Sequence, residues 1–316
     1  MVKQTLLILA LAACGKFEDP DIVIDLRPIS IDADRPEQVI TVDAMSQPAD
    51  ILGQLQNTQL RVVISDLNFE RGIRWSAEVC ADLDDARCDD DSPSEMLGSG
   101  VWDDPDVNPY PTLTIPGDGN LLGILLDELD SDALHGLGGL TFNLSLRVGG
   151  EDADPALDQY LTKQMMVSPA IPAGRIPNHN PTLDGFDTQI DGGEDVLLPT
   201  DRCTDRQSAV FIHPEQKLRI EPIENVATRE TYEVPTIDGT TRTFTEAVTY
   251  QWLATAGKFS SGNTGGGHDP FGNLEPTHTE WTAPKVDEPT EVWLWIIQRD
   301  ERLGVTLWES CVVVQP

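Results

Sequence analysis

Residues 247–255 read AVTYQWLAT and residues 291–300 read EVWLWIIQRD. β-Branched and aromatic side chains crowd both segments, as in strands that pack against a core. Around them DVLLP (195–199), AVFIHP (209–214), KLRIEPI (217–223) and LWESCVVVQP (307–316) repeat the pattern at short spacing. TYEVPTIDGTTRTFTE (231–246) sets Asp238–Gly239 between two such runs, a two-residue hairpin signal. Short strands with turn residues between them predict a β-sandwich for this half of the chain.

The preceding half reads similarly. IVIDLRPISIDA (22–33), QVITVDAM (38–45) and QLRVVISD (59–66) have the β-rich, partly alternating look of strands. GIRWSAEVC (72–80) places Ile73, Trp75, Ala77 and Val79 on one face, making Trp75 a core residue. LTFNLSLRV (140–148) and QYLTKQMMV (159–167) form a pair joined by the acidic loop GGEDADPALD (149–158). One segment breaks the pattern. NLLGILLDELDSDALHGLGG (120–139) sets Leu122, Leu125, Leu126, Leu129 and His135 to Leu137 on one stripe, an amphipathic helix ended by Gly136 or Gly138 and laid over an end of the sheet.

Between the halves, SPAIPAGRIPNHNP (168–181) carries four prolines, little charge and no period, the composition of a semi-stiff extended linker. The expected organisation is all-β: a leader at 1–13, a tether at 14–21, a sandwich with a helical insertion at 22–168, a linker at 169–177 and a second sandwich at 178–316. The 316 residues suit about two domains.

YQWLATAGKFSSG (250–262), then TEWTAP (279–284) and VWLWIIQRD (292–300), resembles the carboxy-terminal part of bacterial immunoglobulin-like and PKD-like domains. In that resemblance Trp252 takes the place of the core tryptophan of the third strand, and Trp281 that of the W-x-A-P turn. IDADRPEQVITVDA (31–44) and IRWSAEVC (73–80) carry the likeness into the first half. It implies two immunoglobulin-like sandwiches and says little about function, since such folds host many roles.

The net charge of −33 repels phosphate backbones and anionic headgroups, so nucleic acid is excluded as a partner. At the amino terminus Lys3 precedes an apolar core from Thr5 to Ala13, far shorter than the ~20 residues of a membrane-spanning helix and suited to a targeting segment. Leu11-Ala12-Ala13-Cys14 resembles the lipobox of bacterial lipoproteins. The resemblance implies cleavage before Cys14, lipidation of its sulfur and attachment to a membrane through that residue. It also implies the outer rather than the inner membrane, because Gly15 stands where an aspartate signals inner-membrane retention.

Export makes the other four cysteines disulfide candidates. They allow three pairings; Cys80 with Cys88, close in sequence, and Cys203 with Cys311, bracketing the second half, are expected. In the chain-entropy model these contribute about 2.6 and about 4.8 kcal/mol.

DLDDARCDDDSPSE (82–95) is the densest acidic run. An EF-type loop started at Asp82 would need a glycine where Arg87 stands and a glutamate where Pro93 stands. The run is a solvated loop pinched by the Cys80–Cys88 bridge, or a weak calcium site formed by Asp82, Asp84, Asp85, Asp89, Asp90 and Asp91. No other cofactor is expected: no CxxC or HExxH occurs, and His135, His179, His213, His268 and His278 are scattered.

FSSGNTGGGHDPFGN (259–273) gathers Ser260, Ser261, His268 and Asp269 without a G-x-S-x-G turn, so it reads as an inter-strand loop or a binding loop, with no catalytic residues assigned. Trp293 and Trp295 share one strand face, with Leu294 and Ile296 on the other. The tryptophan pair is either core, under some cover, or an exposed strip able to stack on a sugar ring or a partner protein.

Two functions follow as expectations. The first is a non-enzymatic, lipid-anchored envelope protein with a structural, adhesion or assembly role among other envelope proteins. The alternative is a polysaccharide- or peptidoglycan-binding module using Trp293, Trp295, His268 and Asp269.

Overall fold

The computed structural model describes residues 19–43, 46–66, 71–81, 87–88, 93–103, 111–200, 210–236, 240–268 and 271–316. The fold is all-β, of the β-sandwich class, with two α-helices among the described residues.

In the amino-terminal half, β1 (Arg27–Ala33), β2 (Glu37–Ile40), β3 (Thr58–Ser65), β4 (Ile73–Ala81), β5 (Ser94–Trp102), β6 (Thr112–Ile115), β7 (Leu140–Gly150) and β8 (Gln159–Pro169) divide into two sheets. One has the order β1-β3-β6 and the other β2-β8-β7-β4-β5. Their facing sides share one core. β7 supplies Phe142, Leu144, Leu146 and Val148 at alternate positions, β3 supplies Leu60, Val62 and Ile64, and β4 supplies Ala77 and Val79. Trp75 packs at the margin of this core, stacked on Trp102 with ring centroids 4.8 Å apart.

Helices α1 (Pro48–Leu52) and α2 (Gly119–Ser131) contact each other, and α2 packs against β7, β4 and β5. Asp118 caps α2 by accepting from the Asn120 and Leu121 N–H groups, and Leu121, Leu122, Ile124 and Leu125 are buried. The helix ends earlier than its apolar stripe predicts. The Asp132 carboxylate accepts from the Leu134 and Gly136 N–H groups, turning the chain out of the helix before His135.

The carboxy-terminal half contains β9 (Leu183–Ile190), β10 (Asp195–Leu197), β11 (Val210–Ile212), β12 (Lys217–Glu224), β13 (Thr231–Pro235), β14 (Thr241–Thr245), β15 (Val248–Ala254), β16 (Lys258–Phe259), β17 (Asn263–Gly266), β18 (Thr279–Thr282), β19 (Thr290–Asp300) and β20 (Val305–Val314). Sheets β10-β9-β12-β18-β16 and β11-β20-β19-β15-β17 face each other, and β13 pairs with β14 as a separate hairpin. The Asp238–Gly239 tip of that hairpin lies outside the described residues.

Both halves repeat one arrangement. In each, a parallel edge pair, β2 with β8 or β11 with β20, continues into antiparallel strands, giving β2-β8-β7-β4-β5 and β11-β20-β19-β15-β17. Trp252 and Trp281 are fully buried at the centre of the second core. Their indole N–H groups donate to Thr264 Oγ1 at 2.8 Å and to the Ala256 carbonyl at 2.9 Å, so neither burial strands a donor.

The disulfide Cys80–Cys88 is present with its Cα atoms 5.6 Å apart, and Cys311 is also disulfide-bonded. Cys203, its expected partner, lies outside the described residues.

Candidate functional site

The residues singled out from the sequence do not converge. Cys14, the six aspartates of the acidic run and Asp269 lie outside the described residues. Among the described residues no cluster of histidine, cysteine and carboxylate side chains is placed to hold a metal ion. His268 is exposed and forms an isolated bridge with Leu274. Ser260 Oγ accepts from the Glu280 N–H at 3.0 Å, and Ser261 Oγ donates to the Asn263 carbonyl, so both hydroxyls serve local structure.

Part of the glycine-rich stretch is strand rather than loop. Residues 263–266 are β17, paired with β15. Gly265 has φ +76°, and a Cβ there would stand 2.5 Å from the Val248 carbonyl oxygen. The glycine is needed for this close backbone approach.

Of the two readings of the tryptophan pair, core under cover or open strip, Trp295 takes the first. Leu294 and Ile296 face the carboxy-terminal core, as the alternation requires. Trp295 faces the opposite way and is only 2% exposed, because the amino-terminal half covers it. Leu253, Trp295, Ile297, Val305 and Leu307 from the second half form one buried cluster with Val23, Ile29 and Val63 from the first. Trp293 packs at its margin. β3 thus serves two cores, with Leu60, Val62 and Ile64 turned inward and Val63 outward. A register shift in β1 between Pro28 and Ser30 accompanies the turning of Ile29 to the same outer cluster.

Beside this apolar cluster lies a polar one. Glu37 of β2 receives Arg175 Nη2 at 2.7 Å, Arg302 Nη2 at 2.6 Å and the Asn178 N–H at 2.8 Å. Arg302 also reaches Glu246 Oε1 at 3.3 Å and Glu230 Oε2 at 3.7 Å, and its guanidinium lies over the Tyr232 ring, 4.8 Å from the centroid. The Asn178 amide donates to both oxygens of Asp300, and Lys163 of β8 donates to the Leu303 carbonyl. Asn180 donates to the Ala33 carbonyl at 2.7 Å and accepts from the Val305 N–H at 3.0 Å. The proline-rich segment expected to be a plain spacer is therefore pinned to both halves.

Burial sets the electrostatics here. Burial works against ionised Glu37, but the Ser168 hydroxyl, Arg175, Arg302 and the Asn178 N–H outweigh it and hold the carboxyl below its ordinary value. Glu246 goes the other way: burial, then the nearby Asp300, push it up to about 7. Burial also raises Asp300, and it lowers Lys163 to about 8 against the pull of Asp300 and Asp32.

A cavity of about 540 Å³ opens at this junction, lined in part by Arg175, Arg229, Tyr232 and Arg302. Each of its guanidiniums is paired with a carboxylate: Arg175 with Glu37, Arg229 with Glu224, and Arg302 with Glu37, Glu230 and Glu246. The arrangement neutralises charge and locks two halves together. Glu37, Asn178 and Arg302 carry no sequence signal, being single polar residues far apart in the chain; only Arg175, a lone charge in the proline-rich segment, hints at a pinned linker.

No protein-family model and no curated protein matches the chain. Among solved structures, red sea bream transglutaminase is similar at 8% identity and a TM-score of 0.23, over 93% of this chain and 32% of that one. The chain thus spans about a third of that protein's length, and a likeness this low carries no argument about activity.

Proposed function

We propose that the chain is a non-catalytic module of a bacterial cell envelope, anchored through lipidated Cys14, that holds and positions other envelope proteins. The observation that carries this reading is the buried cluster of Val23, Ile29 and Val63 against Leu253, Trp295, Ile297, Val305 and Leu307. Two sandwiches sharing a third core behave as one stiff spacer, which suits a positioning role and offers no cleft between moving parts.

The amino-terminal sequence supports the anchor: the short apolar run ends at LAAC. Gly15 supports an outer-membrane address. The glycan-binding alternative loses its main support, because Trp295 is under the amino-terminal half.

Cell fractionation with detergent partitioning tests the anchor. The protein should enter the detergent phase, and Cys14→Ala should release it to the aqueous phase. A Cys14→Ala protein that stays with detergent refutes anchorage at that residue. Cross-linking in intact envelopes tests the role, with stoichiometric protein partners expected; co-purifying glycan without protein would overturn the assembly reading.

A further inference from the structure

We infer that an apolar groove beside α2 is a docking site for a cationic amphipathic helix of a partner protein. The groove has a volume of about 450 Å³ and is walled by aliphatic side chains. Four of them, Val42, Leu126, Leu134 and Ile171, are 39–51% exposed around this one opening. An apolar concavity of this kind on an otherwise acidic surface is relieved by covering it.

Charge selects the occupant. Among the described residues no lysine or arginine lines the groove, and His135 is the one ionisable lining residue. Asp130 of α2 is exposed and Asp127 half-exposed on the helix that walls the groove, on a chain of net charge −33. A surface of that sign repels anionic lipid and a second copy of itself, and attracts lysine and arginine.

The backbone selects the mode. β2 is an edge strand near the groove, but side chains serve its flank. The Gln54 side chain bonds both the N–H and the carbonyl of Thr41, just past β2, and the Gln38 side chain reaches across to the N–H and carbonyl of Gln56, laying the 54–56 segment along that flank. Strand addition is thereby disfavoured, leaving a helix that seats apolar anchors at i, i+4 and i+7.

This inference names a partner surface for the assembly reading, yet it is tested in solution without reference to anchorage. The full chain is titrated into a labelled Leu/Lys amphipathic peptide, followed by fluorescence anisotropy, with a Leu/Glu peptide of the same apolar face as the control. The Leu/Lys peptide should bind and the Leu/Glu peptide should not. Leu126→Asp with Leu134→Asp, a variant more acidic than the parent and altered only at half-exposed positions, should weaken binding by about tenfold or more.

Undiminished binding by that variant would mean simple charge attraction and would overturn the proposal. So would equal capture of the Leu/Glu peptide, preferential binding of phosphatidylglycerol vesicles, or self-association of the chain that the same substitutions abolish. Cys14→Ala should leave the titration unchanged, so failure of the anchor and failure of the groove are told apart.

Discussion

The Glu37 carboxylate and the Arg302 guanidinium, 265 residues apart in the chain, meet at 2.6 Å with only 2% and 12% of their side chains exposed. One belongs to the second strand of the molecule and the other to the turn that joins its last two strands. Their contact closes the polar side of a junction whose apolar side is built on Trp295.

Removing one partner of a buried pair leaves the other charged and without its counter-ion, at a cost of about 3–5 kcal/mol. Glu37→Ala, which strips Arg175 of its carboxylate and leaves Arg302 with only Glu230 and Glu246, should lower the unfolding free energy by that amount in urea titrations. Lys285→Ala is the contrast. Its pair with Glu215, at 3.1 Å, has side chains 78% and 68% exposed, and its loss should cost less than about 1 kcal/mol.

Trp295→Ala should cost about 3–5 kcal/mol, the range for emptying a large aromatic site in a core. Its distinctive effect is on the junction. Limited proteolysis should open the 168–181 segment in the variant, which is pinned in the parent through Arg175, Asn178 and Asn180.

Much of each sandwich is legible in the sequence: the β-rich runs mark the strands, and the resemblance to immunoglobulin-like and PKD-like domains picks out Trp252 and Trp281 as core. The face of Trp295 is equally legible. Its cover is not, since that depends on Val63, an inconspicuous outward residue of β3, and on Ile29, placed at a register shift in β1 that no turn residue announces. The polar junction is hidden for a similar reason: Glu37, Asn178 and Arg302 are single residues with neither period nor motif, joined only by topology. The early end of α2 also escapes the apolar stripe, because a single carboxylate, Asp132, diverts the backbone.

Glu246 gives the junction a pH dependence of defined sign. Its carboxyl rises from an ordinary 4.5 to about 7, so the folded chain keeps a proton that the unfolded chain releases. The stability this confers is fully present below about pH 4.5 and is lost as pH rises through about 7. Glu246→Gln, whose amide oxygen can still accept from Arg302, should therefore be close to neutral at pH 5 and stabilising by about 2 kcal/mol at pH 8. Chemical denaturation at the two pH values checks this; equal effects at both would refute the assignment.

Replacing Cys80 and Cys88 together by alanine should lower stability by about 2.6 kcal/mol, the chain-entropy figure for their short loop. The loss should appear as a lower denaturation midpoint. Reducing agent should shift the midpoint of the parent and leave out this component in the variant.

The two sandwiches fold as one unit through the cluster around Trp295, and differential scanning calorimetry of the full chain reads this cooperativity. One transition, with calorimetric and van't Hoff enthalpies in agreement, that splits into two in Trp295→Ala is the predicted result. Two separate transitions in the unaltered protein would contradict it.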